Sequence, residues 1–278
     1  NKFCGDGLIG LRYAVLATIL YVQSLSPIMN NINDGISVAQ GKGALAIEPG
    51  MASCIFLINR QSGASRTIAL NAPTQVTHFL NAYQHNELLV VDACLSFLVR
   101  TENLEPAGEL FPFNFPHIEQ PAFSFPQLHR VAIDLTVESV TVQPIQVFGE
   151  FLRPNPKFQG IKHRYGYLAA VNPSRPAGAG MNSLAKYDFE SGTVEYRCIS
   201  EGYDMVPGEP IFVERPNATA EDDGWILQLW WNPVNNTSEL VIFDAQDITK
   251  EPTARIQLSH HIPISFHGNW ISWAQLGI

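Results

Sequence analysis

Three stretches of this chain share a spacing that few folds can accommodate. Ile133-Asp134, Tyr187-Asp188 and Phe243-Asp244 each pair an apolar residue with an aspartate, and each opens a unit of β-run, turn and β-run. The units recur at intervals of about 55 residues. In a chain with scarce helical periodicity, a repeat near that length points to propeller blades of about four strands each. Asn59 to Ile68, with Ser62-Gly63 at its turn, has the same shape. Further short β-runs lie between these units: 87–93, 140–148, 164–170, 209–213, 225–231 and 239–243.

The expected fold is therefore all-β, a β-propeller with room for about five blades, either a closed ring or an incomplete one. A length of 278 residues with 46% hydrophobic content suffices for one large core, so a two-domain split is not forced. Two segments interrupt the pattern. Residues 172–183 form a surface connection with Pro and Gly and no periodicity. Residues 102–128 are rich in Phe and Pro, including Phe111, Phe113, Phe115, Phe123 and Phe125. Repeated proline prevents regular strand pairing. The segment fits either a covering loop that packs its own aromatics or an apolar lid over a ligand.

A net charge of −9 and the lack of a basic stripe exclude nucleic acid as a partner class. Cys4, Cys54, Cys94 and Cys198 have no metal-like spacing and read as buried free thiols of a reducing compartment, the cytoplasm. The most apolar stretch, 13–22, is about half of the roughly 20 residues a membrane helix needs. It reads as a buried strand, and peripheral membrane contact stays open. No phosphate loop, nucleophile elbow or zinc-protease motif is present. The acidic run Glu221-Asp222-Asp223 lacks the other ligands of a calcium loop and reads as a solvated turn.

Candidate chemistry rests on four residues. His267, in Phe266-His-Gly-Asn-Trp270, is an imidazole where the local pattern asks for none. A structural histidine at a strand end and a metal ligand both fit it. His78 precedes an apolar strand and is the second candidate. Glu150 and Glu209 each follow a glycine and lead into apolar residues, so each carboxylate is partly buried and needs a partner. An arginine, a backbone N–H or the N–H of a metal-bound imidazole would serve. His85, His117, His129, His163, His260 and His261 read as solvated or structural.

Several stretches together resemble the carotenoid cleavage oxygenases, the group that includes apocarotenoid oxygenases and the retinoid isomerase of the retinal pigment epithelium. They are His78-Phe-Leu-Asn-Ala-Tyr83, Glu150-Phe-Leu-Arg-Pro154, His163-Arg-Tyr165, Glu209-Pro-Ile-Phe-Val213, Glu221-Asp-Asp-Gly-Trp225 and Phe266-His-Gly-Asn-Trp270. Coverage is good over 54–271 and weak over 1–53. The resemblance implies a seven-bladed propeller whose axial Fe(II) is held by four histidines and oriented by second-layer glutamates. It implies that His78 and His267 are two of the ligands, with Glu150 behind His78 and Glu209 behind His267. It implies cleavage of a double bond in a carotenoid or apocarotenoid by O2, in an apolar tunnel to which Phe111–Phe125 would contribute a wall or lid. Gly5 stands where the pattern has a histidine, and no histidine precedes His78. The expectation is a single propeller domain, truncated at its N-terminal side and carrying two of four ligands. Two alternatives are a polyene- or retinoid-binding member without turnover and a propeller scaffold for protein partners.

Overall fold

The computed structural model describes residues 8–9, 13–18, 53–70, 74–97, 125–175, 180–199, 205–263 and 267–277. They form an all-β architecture of antiparallel sheets. The first sheet has the order β1 (Leu8–Ile9), β2 (Tyr13–Thr18), β3 (Cys54–Asn59) and β4 (Ser65–Ala69). A seven-stranded path follows: β5 (Thr74–His85), β6 (Leu88–Phe97), β7 (Gln127–Asp134), β8 (Ser139–Arg153), β9 (Tyr165–Ala170), β10 (Ser183–Asp188) and β11 (Thr193–Arg197). The last sheet is built from β12 (Val206–Pro207), β13 (Ile211–Glu214), β14 (Gly224–Asn232), β15 (Thr237–Asp244) and β16 (Ala254–Gln257).

The seven-stranded path is two blades joined by one strand. The first part of β8, from Ser139 to Phe148, pairs with β7. Its last part, from Gly149 to Arg153, pairs with β9. The outer strand of one blade thus continues as the inner strand of the next. Four blade-like sheets stand among the described residues, against the about five expected. Residues 19–52 and 98–124 lie outside the described ones, and with them Phe111, Phe113, Phe115 and Phe123.

The aspartate repeat has a local cause. Asp134 Oδ1 accepts from the Thr136 and Val137 amides, and Asp188 Oδ1 from those of Glu190 and Ser191. Asp244 Oδ1 accepts from the Gln246 amide. Asn59 does the same for Gln61 and Ser62. Each residue ends the third strand of its sheet and caps the turn into the fourth by a side-chain bond to the backbone. The left-handed position falls on glycine in the Asn59 and Asp188 turns, at Gly63 (φ +73°) and Gly192 (φ +71°), and on Glu138 (φ +54°) in the Asp134 turn.

The cores lie between consecutive sheets. Ile55 and Leu57 of β3 pack on Val76, Phe79, Leu89 and Ile133 of the second blade. Leu80, Leu128 and Val147 of that blade pack on Leu168 and Ala185 of the third. Tyr167 and Leu184 pack on Phe212, Ile226, Trp230 and Phe243 of the fourth. Residues 89–95 of β6 bury side chains on both faces, which explains an apolar run without alternation. Burying a large apolar side chain such as Leu89 or Phe243 contributes roughly 1.5–3 kcal/mol. β14 instead alternates strictly between buried and half-buried positions, because the fourth blade packs on one neighbour only among the described residues.

His78 precedes the apolar strand β6, as expected, and itself lies inside β5. Two expectations are corrected here. His267 is not on a strand but in an irregular segment beyond β16. The acidic run is not a solvated loop. Glu221 accepts from the Arg164 and Tyr165 amides, Asp222 pairs with the buried Lys186 at 2.8 Å, and Asp223 pairs with Arg215 at 3.0 Å. Backbone and cations of neighbouring strands claim all three carboxylates, which leaves no calcium loop. Among the described residues no helix is long and apolar enough to cross a membrane.

Candidate metal centre

β5 carries a bulge. Val76 pairs with Leu95 and His78 with Cys94, so Thr77 is a surplus residue. A bulge puts two successive side chains on related headings. Thr77 Oγ1 donates to Glu150 Oε1, and His78 Nδ1 lies 2.6 Å from Glu150 Oε2. Glu150 sits at the joint of β8, where Gly149 lets β8 and β9 approach. A Cβ on Gly149 would meet the Ala169 carbonyl oxygen at 2.1 Å. The next residue, Phe151, holds a left-handed backbone (φ +59°) within an irregularity between Glu150 and Arg153. That conformation is costly for an aromatic residue and marks a constrained site. It brings the Phe151 ring to 5.0 Å from that of His78.

The second half of the centre is built on loops. Glu209 lies just before β13, with its side chain only 5% exposed. His267 Nδ1 is 3.1 Å from Glu209 Oε1, and the Gly268 amide donates to Oε2 at 2.7 Å. The His78 and His267 rings stand 5.1 Å apart at 73°. Both line a cavity of about 300 Å3, together with Phe79, Leu152, Ile211 and Phe212. His78 is 8% exposed, whereas the His267 side chain is 45% exposed, so the centre is closed on one side and open on the other.

These residues suit a divalent metal. A carboxylate at Nδ1 takes up the proton-bearing nitrogen, which makes Nε2 the lone-pair nitrogen and fixes the ring. Two imidazoles so held on one cavity are a partial ligand set. Among the described residues no group of three or more His, Cys, Asp or Glu forms a fuller one. Gly5 lies outside the described residues.

Other features were not foreseen. Thr77 was missed, and only its place beside His78 hints at it. Arg153 donates to Glu209 at 2.7 Å, and its signal was its position three residues after Glu150. Asn81 pins the 156–163 segment, whose Pro156 and Gln159 line the cavity. Its amide donates to the Phe158 and Ile161 carbonyls, and its Oδ1 accepts from the Gly160 amide. His163 lies 3.0 Å from Asn81 Nδ2. Burial, reinforced by Arg130, pushes the His163 imidazole down to about 3. The ring is therefore neutral, and its 3.4 Å approach to Asp92 is not an ion pair. Asp92 instead pairs with Arg130 through two bonds of 2.8 and 2.9 Å. Phe125, the one described member of the Phe-rich segment's five, packs half-buried on the cluster of Phe151, Ala169 and Met181. It thus stands behind the strained residue beside His78.

Known proteins match this chain in sequence and fold. The profile of the family described as RPE65, retinal pigment epithelial membrane protein, matches residues 6–272. The apocarotenoid-15,15'-oxygenase of Synechocystis is 36% identical over 219 residues, which is 78% of this chain and 42% of that protein. The isoeugenol monooxygenase of Pseudomonas nitroreducens is 28% identical over 89% of this chain and 52% of its own length. A solved mutant of Synechocystis apocarotenoid oxygenase superposes with a TM-score of 0.78 at 29% identity, covering 97% of this chain and 53% of that one. The cobalt-substituted form of that enzyme matches with a TM-score of 0.77 at 31% identity, over 96% and 52%. The matching structures are seven-bladed propellers, and the family is a metalloenzyme group. The chain spans about half the length of these relatives. From its profile match, its identity to the Synechocystis enzyme and its blades, this chain belongs to the RPE65 or carotenoid cleavage oxygenase family.

Proposed function

We propose that this chain belongs to a mononuclear Fe(II) dioxygenase that cleaves a carbon–carbon double bond of a carotenoid or apocarotenoid with O2. In this reading His78 and His267 supply two of the iron ligands, and Glu150 and Glu209 orient them. The observation that carries it is the duplicated pairing of an imidazole Nδ1 with a buried glutamate, with both rings on one cavity. The names of the Synechocystis and Mycobacterium tuberculosis relatives, an apocarotenoid oxygenase and a carotenoid cleavage oxygenase, support the substrate class.

Bound iron would supply a redox-active Lewis acid that neutral imidazoles keep cationic. The protein's own part is positioning. Glu150, held by Thr77, keeps the His78 proton on Nδ1. Phe79, Leu152, Ile211 and Phe212 give the cavity apolar walls that exclude water from a polyene. The protein would act in the cytoplasm, and its apolar substrate makes peripheral membrane contact part of the reading.

Anaerobic reconstitution with Fe(II), followed by metal analysis and polyene titration, tests it. Stoichiometric iron in the chain, abolished in His267→Ala with the fold retained, is the expected result. Iron content unchanged in that variant would refute the ligand assignment. Gly5 in place of a histidine favours a second reading, a polyene-binding member without turnover. Polyene binding without iron would select it.

A further inference from the structure

His267 has no strand to hold it, unlike His78 in the middle of β5. Its position depends on a small ring of contacts closed by Arg153, the last residue of β8. Arg153 Nε donates to Glu209 Oε1 at 2.7 Å, and its Nη2 donates to the Gly268 carbonyl at 3.1 Å. Glu209 Oε2 in turn accepts from the Gly268 amide at 2.7 Å, while Oε1 faces His267 Nδ1 at 3.1 Å. One guanidinium therefore grips both the carboxylate behind the ring and the backbone beside it. The two halves of the centre are also built differently. Glu150 is steadied by a neutral hydroxyl, Glu209 by a cation.

We propose that Arg153 is a positioning residue whose planar fork locks Glu209 to the Gly268 carbonyl and thereby sets the orientation and tautomer of His267. The inference rests on His267 being a metal ligand, but the contacts make a claim about the metal-free ring as well. Without the fork, Glu209 Oε1 loses its strongest partner, and the 267–268 segment loses its tie to β8. A lysine keeps the charge but cannot make two parallel donations along fixed directions.

The test uses the full chain labelled with 15N-histidine, at about pH 8, above the ordinary histidine range. In the unaltered protein the His267 ring should show one tautomer, protonated at Nδ1. In Arg153→Met its ring signals should move towards a mixture of tautomers while those of His78 stay in place. Co(II) titration of the same variant should show affinity weaker by about tenfold, the lower end of the usual effect of groups behind a ligand. Unchanged His267 ring signals in Arg153→Met would overturn the proposal. If that variant is insoluble, Arg153→Lys decides: tautomer mixing supports the fork, and unaltered spectra overturn it. If the unaltered chain takes up no Co(II), the metal reading fails, while the ring spectra still decide the role of Arg153.

Discussion

Thr77 is the surplus residue of a bulge, and the surplus lets two adjacent side chains of β5 reach one carboxylate. A bulge leaves no mark in a period-two pattern, so Thr77 could not be read from the chain. His78, Glu150, Glu209 and His267 could be singled out as odd residues in apolar surroundings. Their pairing could not, because 72 and 58 residues separate the partners; only the family resemblance joined them. His163 is the opposite case, a histidine set aside as solvated or structural that proves to be wholly buried. It yields a residue-level prediction. Its imidazole falls from the ordinary histidine value of 6.5 to about 3 on folding, through burial and then Arg130. Above pH 6.5 both states are neutral and the group is silent. As pH falls from 6.5 towards about 3 the unfolded chain takes a proton that the folded one refuses, so stability is lost in that window. This group alone gives a slope of up to about 1.4 kcal/mol per pH unit. His163→Gln should flatten that part of a denaturant-midpoint profile, whatever its effect at neutral pH. A profile of unchanged steepness would mean that folded His163 accepts the proton.

At the level of elements, the hairpins were the most legible part of the chain. Their turns announce themselves through Asp or Asn at the strand end, and in the Asn59 and Asp188 turns also through Gly at the left-handed position. The long double-faced β6 was legible as an apolar run. What was not legible is that β8 serves two blades, since nothing marks Phe148-Gly149 as a boundary without a loop. Gly149 is where the two strands come closest, and it gives a second prediction. In Gly149→Ala the new Cβ would meet the Ala169 carbonyl oxygen at 2.1 Å and Ala170 Cα at 2.8 Å, both backbone atoms that cannot swing aside. The cost should be about 3 kcal/mol, at the upper end of overpacking effects. Glu150 should also be displaced from His78. Gly63→Ala is the control. It has open space around it but a φ of +73°, and should cost only about 1 kcal/mol. Equilibrium denaturation of the two variants checks the order, and equal losses would remove the special role of the β8–β9 approach.

At the scale of the whole molecule, the centre joins segments that are remote in sequence. His78 stands in the second blade and Glu150 on the strand shared by the second and third. Glu209 comes from the fourth, and His267 lies beyond it. A metal bound to both histidines would therefore tie the last described segment to the second blade. Ligand binding to the folded state alone stabilises by about 2.7 kcal/mol at a hundredfold excess over Kd. Added Fe(II) or Co(II) should raise the unfolding midpoint of the full chain, and hydrogen exchange should slow at 267–270 and around His78. His267→Ala should lose both effects. An equal rise in midpoint in that variant would place the metal elsewhere.

The continuity of β8 carries a final consequence. Most neighbouring modules are joined by a connector that can absorb small rotations between them. Here one peptide bond, Phe148–Gly149, is the joint, and both its sides are fastened into sheets. There is no play in such a coupling. The angle between the two blades is set by the twist of a single strand, and the reach of Glu150 towards His78 is set with it. The loops around the cavity could be lengthened or exchanged without disturbing that alignment, which makes β8 the gauge against which this half of the centre is built.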